Sequence, residues 1–227
     1  MSDLHTRLAV LDMAGTTVAD DGLVLDAFDA AVRAAELPTD GAEFDRARQY
    51  VIDTMGQSKI VVFRHLVDGD EHRAQAANAA FEQAYDASIA DGGVHAIDGA
   101  ADTISALRSA GAKVALSTGF SASTQQRLLD ALGWNDVADL AIAPSETLRG
   151  RPFPDMILSA LITLQIDDVR EVAVLGDTAN DILSGVRAGA GIVVGTLTGA
   201  HDEHTLRGAG ATAIVDDVRG VLDLFVN

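Results

Sequence analysis

Carboxylates and hydroxyls recur at the ends of short apolar runs in this sequence. Arg7-Leu8-Ala9-Val10-Leu11 leads into Asp12-Met13-Ala14-Gly15-Thr16-Thr17. Val172-Ala173-Val174-Leu175 leads into Gly176-Asp177-Thr178-Ala179-Asn180-Asp181. A third run, Lys113 to Leu116, ends in Ser117-Thr118-Gly119, and Arg149-Gly150-Arg151-Pro152 lies between these last two. Carboxylates and hydroxyls gathered on one edge form a hard-oxygen site suited to Mg²⁺. A guanidinium beside them suits a phosphoryl group. Each piece alone reads as a helix cap or a turn. All four, in this order, are hard to assign to capping alone.

The elements that must position these residues follow from periodicity. Strands are expected over 7–11, 113–117, 140–143, 172–175, 192–195 and 213–215, with helices between most of them. Continuous apolar strands alternating with helices indicate a parallel sheet covered on both faces. Such sheets bind ligands beyond the carboxyl ends of their strands, where the residues above sit. From Leu25 to Ala90 the pattern is helical instead. One helix is expected to run from Leu25 to Leu37 and stop at Pro38. A second covers about 44–55, a third is capped by Ser58 and runs to Leu66, and a fourth spans 71–89. The expected architecture is α/β: a doubly wound, Rossmann-like core from 1–19 and 94–227, with a small α-helical cap from 20–93 inserted after the first strand.

Composition excludes several functions. The 227 residues carry 16 Lys+Arg against 34 Asp+Glu, a net charge of −18. Neutralising phosphates needs clustered cations, so a nucleic-acid partner is not expected, and an anionic membrane surface would repel the chain. There is no cysteine, hence no disulfide, thiolate metal site or cysteine nucleophile. No apolar run is long enough to cross a membrane, and the residues after Met1 do not resemble a secretory leader. A cytoplasmic protein is expected. The basic residues are 14 Arg and only two Lys, Lys59 and Lys113. A lysine kept in so Arg-biased a chain points to chemistry that Arg, always protonated, cannot do. Lys113 opens a strand and reads as a solvent-facing edge residue. His5, His72, His95, His201 and His204 lack ligand spacing and read as solvated, and Trp134, after Gly133, reads as packing a helix end.

Asp12-Met13-Ala14-Gly15-Thr16, Ser117, Arg151 and Gly176-Asp177-Thr178-Ala179-Asn180-Asp181 resemble the four motifs of the haloacid dehalogenase (HAD) superfamily, over essentially the whole chain. Asp-x-Ala-Gly-Thr together with Arg151 is similar to the phosphonoacetaldehyde hydrolase (phosphonatase) group. Met55-Gly56-Gln57-Ser58-Lys59 resembles that group's Met-Gly-x-x-Lys element. The resemblance implies Asp12 as nucleophile, forming an aspartyl-phosphate, and Mg²⁺ as cofactor, held by Asp12, the Ala14 carbonyl, Asp177 and Asp181. It implies that Thr16, Ser117, Thr118, Gly119 and Arg151 bind the phosphoryl group, with Met55 near the substrate. Lys59 would form a Schiff base with an aldehyde substrate. Its protonated imine would accept the electrons of a breaking carbon–phosphorus bond, so the acid usual at position 14 becomes dispensable. Two positions depart from the group: Val62 stands where it has His, the nearest histidine being His65, and Phe120 stands where it has Tyr. The implied function is cleavage of phosphonoacetaldehyde or a related aldehyde, with a small phosphorylated or phosphonate substrate as partner and a homodimer left open as the assembly. A HAD phosphatase or phosphomutase acting on phosphoglycolate or a sugar phosphate is the alternative. A non-catalytic phosphate-binding protein is the alternative from another class.

Overall fold

The computed structural model describes residues 6–19 and 21–225. His5, the outermost ends of the expected core segments and residue 20 at the expected boundary lie outside the described residues. Among the described residues six parallel strands form one sheet: β1 (Leu8–Asp12), β2 (Lys113–Ser117), β3 (Leu140–Ile142), β4 (Val172–Gly176), β5 (Ile192–Thr196) and β6 (Ala213–Val215), in the order β3-β2-β1-β4-β5-β6. Every residue of β1 is buried. Ala9 and Leu11 join one apolar cluster, while Leu8 and Val10 join another with Ile157, Ala160 and Val174. A strand covered on both faces has no position for a polar alternation, which is why its sequence is apolar throughout. In register, Asp12 pairs with Ser117 and Leu11 with Leu175. The β-pairing therefore brings the carboxyl ends of β1, β2 and β4 to one edge.

Four helices separate β1 from the rest of the sheet: α1 (Leu23–Ala34), α2 (Gly41–Asp53), α3 (Lys59–Leu66) and α4 (Glu71–Ala90). The chain then continues through α5 (Ala100–Ser109), α6 (Ala122–Leu132), α7 (Asp155–Thr163), α8 (Ala179–Ala188), α9 (Glu203–Ala209) and α10 (Leu222–Phe225). Beyond shifts of one to three residues at element ends, three details differ from the sequence expectation. Helix α1 ends at Ala34, before Pro38, because Glu36 turns left-handed at φ 53° and the Leu37 N–H bonds back to the Val32 carbonyl. Ser58 occupies the N-cap of α3, but its side chain makes no capping bond. Helix α9 has no counterpart in the expected pattern. Its seven residues are too few to show a period, and only Asp202, whose carboxylate accepts from the Thr205 N–H, announces it.

The helical insert is held together by aromatic rings. Phe28 stacks on Phe44 and on Phe63, Phe63 meets Phe81, and Phe81 stacks on Tyr85. The series ends on the sheet side at Phe120, whose centroid lies 4.5 Å from that of Tyr85 and 6.3 Å from that of Phe81. Five of the seven phenylalanines thus form one spine through the insert to the sheet. Most of its rings share a single apolar cluster with Leu11, Leu116 and Leu175 of the sheet. Asp86 of α4 pairs with Arg127 of α6 at the same junction. Trp134 is buried behind the left-handed Gly133 that ends α6. Lys113 is exposed and pairs with Asp139 at 3.2 Å. Among the described residues no helix is long and apolar enough to cross a membrane.

Candidate active site

Three buried carboxylates meet at the strand edge. Asp12, Asp177 and Asp181 each present an oxygen within 4.8 Å of the others. Asp12 is the last residue of β1. Asp177 follows β4, and Asp181 lies in the first turn of α8. The turn is fixed by a capping box: the Thr178 hydroxyl accepts from the Asp181 N–H, and Asp181 accepts from the Thr178 N–H. Arg151 enters from the loop before α7 and is itself buried. Its Nη1 lies 2.6 Å from Asp12 Oδ1, its Nε lies 2.8 Å from Asp181 Oδ1, and its Nη2 donates to Ser117 Oγ at 2.6 Å. A planar guanidinium meets three partners at fixed angles here, which an ammonium cannot do.

One arginine does not balance three buried carboxylates. Burial drives the Asp12 carboxyl well above the usual carboxylate range, with Asp181 and Asp177 adding to the rise and Arg151 opposing it. Asp177 is pushed up to about 7, by burial first and by Asp181 second. Burial works against the charge of Arg151, but the pull of Asp12 and Asp181 outweighs it and raises its pKa. A hard-oxygen set with excess negative charge fits a divalent cation of the Mg²⁺ type. Asp177 is held in place by two donors, accepting from Thr16 Oγ1 at 3.2 Å and from the Ala200 N–H at 2.7 Å. Gly15 and Gly199 leave it room, since a Cβ on either would fall within 2.5 Å of an Asp177 oxygen.

These groups open into a cavity of about 510 Å³ between the strand edge and the helical insert. Of the expected site residues, Asp12, Ala14, Met55, Lys59, Thr118, Gly119, Arg151 and Asp177 line it. Lys59, at the start of α3, places Nζ 5.6 Å from the Phe81 ring centroid and 5.4 Å from that of Phe120. The rings beside its amine are therefore Phe81 and Phe120, and Phe81 was not anticipated. Thr16, Ser117 and Asp181 are buried but do not line the cavity. Thr16 donates to Asp177, Ser117 accepts from Arg151, and Asp181 receives both Arg151 and Thr178. His65 is exposed, stacked on Tyr50 with centroids 4.1 Å apart, and does not line the cavity in place of the histidine that Val62 lacks. Sequence reasoning also missed how the Met55–Ser58 loop is seated. Asn180 Nδ2 donates to the Met55 carbonyl at 2.7 Å, and Gln57 Nε2 donates to Asn180 Oδ1 at 3.3 Å. The left-handed Gly56, at φ 83°, lies so near Thr178 that a Cβ would sit 2.4 Å from its Oγ1.

Comparison with known proteins gives the family and the fold. Residues 6–189 match the family model described as haloacid dehalogenase-like hydrolase. The chain is 30% identical over 207 residues to a phosphonoacetaldehyde hydrolase of Pseudomonas aeruginosa, covering 85% of this chain and 74% of that one. A phosphonoacetaldehyde hydrolase-like protein from Oleispira antarctica superposes with a TM-score of 0.81 at 20% identity, covering 97% of this chain and 91% of that one. A predicted phosphoglycolate phosphatase from Haemophilus somnus superposes with a TM-score of 0.79 at 18% identity, covering 99% of each chain. At such identities the two structures speak for the fold, and the family match with the 30% relative speaks for descent. The chain belongs to the haloacid dehalogenase-like hydrolases and is a hydrolase related to the phosphonoacetaldehyde hydrolases.

Proposed function

We propose that this hydrolase cleaves the carbon–phosphorus bond of a carbonyl-bearing phosphonate, phosphonoacetaldehyde or a relative of it. One observation carries the reading: Lys59 and Asp12 line the same cavity, while the residue two after Asp12 is Ala14, with no acid to offer. Asp12, the Ala14 carbonyl and Asp177 would hold Mg²⁺. When bound, Mg²⁺ supplies the positive charge that keeps these buried carboxylates ionised and draws electron density from the phosphoryl oxygens.

The residues then divide the work. The Lys59 amine adds to the substrate carbonyl, and the adduct takes up one proton and loses water, giving a protonated imine. Asp12 Oδ attacks phosphorus. The electron pair of the breaking carbon–phosphorus bond moves into the imine, which becomes an enamine on Lys59. No proton is needed at a leaving oxygen, so Ala14 suffices. Water hydrolyses the aspartyl-phosphate to phosphate and free Asp12. The enamine takes a proton on carbon, and hydrolysis of the imine releases the carbonyl product and Lys59. Arg151 orients Asp12 and offers charge to the phosphoryl oxygens, while Thr118 and Gly119 border them. Thr16 and Ser117 act one step back, by orienting Asp177 and Arg151. The helices of 20–93 serve as a cap domain over the core, and their seated Met55–Ser58 loop excludes bulk water. A cytoplasmic place and a small-molecule partner suit this chemistry.

The test is phosphate release from phosphonoacetaldehyde beside a panel of phosphate monoesters, with borohydride trapping. Lys59 should be the residue trapped with the aldehyde, and Lys59→Arg should lose carbon–phosphorus cleavage as fully as Lys59→Ala. An active Lys59→Arg, or an adduct on Lys113, would return the protein to the phosphomonoesterase reading. The likeness to a predicted phosphoglycolate phosphatase is what favours that second reading.

A further inference from the structure

One stretch of the cavity's lining is apolar. Its wall is formed by Val24 and Leu25 of α1, Ile52 of α2, Met55, Ile97 and Phe120. Val24 and Phe120 are buried, and the other four are half-buried. Among the described residues that line the cavity from Asp21 to Lys59, only those two carry a polar side chain. Asp21 stands at the mouth, largely exposed, 3.7 Å from His95. The hydroxyls that line the cavity, those of Thr118, Thr178 and Thr198, follow β2, β4 and β5 and lie outside this stretch. A polyhydroxylated body, such as that of a sugar phosphate, would lose its water here and find no partners. The cavity volume, about 510 Å³, lies in the range of about 300–1,000 Å³ that takes drug-sized ligands. A two-carbon aldehyde attached to a phosphonate leaves most of such a volume unfilled.

We infer that the substrate is a β-carbonyl phosphonate carrying an apolar substituent of several carbons, seated against Val24, Leu25, Ile52 and Ile97. This rests on the proposal that Lys59 forms an imine with the substrate carbonyl, and it adds the class of group attached to that carbonyl. The polar part of the cavity binds the phosphonate whatever the substituent. The apolar stretch selects among substrates, because each methylene moved from water onto the wall adds to binding in proportion to its area. One departure from the phosphonatase pattern acts in the same direction: Phe120 presents a plain ring beside the Lys59 amine and lines the cavity.

The experiment uses the whole chain with Mg²⁺ and a series of 2-oxoalkyl phosphonates, from methyl to pentyl on the carbonyl carbon, beside phosphonoacetaldehyde. The expected result is a rise in kcat/KM of about fourfold per methylene, the equivalent of ~0.8 kcal/mol of buried CH₂, until the wall is covered. A second arm measures the binding of saturated alkylphosphonates of the same lengths, which have no carbonyl and so do not depend on Lys59 chemistry. Their Kd should fall by a similar factor per methylene. Ile52→Asn, or Leu25→Gln should the first variant fold poorly, should lower the long-chain to two-carbon ratio of kcat/KM by at least tenfold. Flat or declining kcat/KM across the series, together with a flat Kd, overturns the inference and leaves the imine proposal standing if phosphonoacetaldehyde is cleaved. If no carbonyl phosphonate is cleaved while Kd still falls with length, the apolar wall stands and the imine proposal fails.

Discussion

Replacing Gly119 by alanine tests whether the seated Met55–Ser58 loop belongs to the working state of the enzyme. Gly119 follows β2 on the sheet side and lies outside the left-handed region, so its own backbone accepts a side chain without strain. What blocks a methyl group is the loop opposite. A Cβ at Gly119 would stand 2.7 Å from the Gln57 carbonyl oxygen and 2.8 Å from that of Gly56, whereas ordinary contact begins at 3.4 Å. Both are backbone atoms, and they are tied to α8 through Asn180 and the Met55 carbonyl. They cannot swing aside as a side-chain tip can. The loop must therefore retreat bodily by about 0.7 Å, an overpacking penalty of about 1–3 kcal/mol. A penalty of that size lowers the seated population by about 5–150-fold. Asp12, Arg151 and Asp177 keep their partners, since none of their bonds passes through residue 119. Gly119→Ala should thus lose roughly that factor in kcat/KM for phosphate release, with far-UV circular dichroism unchanged and vanadate still bound beside Asp12. Wild-type kcat/KM in this variant would refute the argument, because the loop could not then be seated as described while the reaction proceeds.

Three further outcomes follow from the same site. Asp12→Asn should abolish turnover while the fold persists, since the amide is nearly isosteric but cannot attack phosphorus; retained phosphate release would remove Asp12 as nucleophile. Asp177 is pushed up to about 7, so below that pH the cation must displace a proton. Mg²⁺ affinity should rise at least tenfold per unit as pH increases toward 7, and calorimetry at pH 6 in buffers of different ionisation enthalpy should report proton release. Equal heats in all buffers would contradict this. Ser117→Ala removes the acceptor of Arg151 Nη2 at 2.6 Å. A buried bond to a charged group is worth about 1.5–3 kcal/mol, so kcat should fall about 10–150-fold with Mg²⁺ affinity little changed. A fall confined to Mg²⁺ affinity would show that Ser117 does not act through Arg151.

The strand-end residues were legible because an apolar run that stops at a carboxylate or hydroxyl is a local signal. Asp12, Ser117 and Asp177 all sit where such runs end. Their partners were not legible, because a bond between Thr16 and Asp177 spans 161 positions and depends on strand order rather than composition. The same holds for Asn180 on the Met55 carbonyl and for Phe81 beside Lys59, which tertiary packing alone brings together. Arg151 could be placed only through resemblance to a family, since nothing in its own loop marks it as buried. Helix ends were the weakest inference. Pro38 marked a stop for α1, yet a single left-handed Glu36 ended it earlier, and the short α9 left almost no periodic trace.

The aromatic spine that crosses from the insert to Phe120 ties motion of the insert to temperature. Any opening that parts Phe120 from Phe81 and Tyr85 must hydrate ring faces that are buried. Rings of this kind bury about 150–250 Å² each, and partial exposure of three of them would carry a heat-capacity increment of roughly 0.1–0.3 kcal/mol/K. Closure would then weaken on cooling, as apolar association does near and below room temperature. Arrhenius plots for substrate capture would bend for a reason unrelated to the bond being broken, and the curvature should flatten when Phe120 is exchanged for a smaller apolar residue.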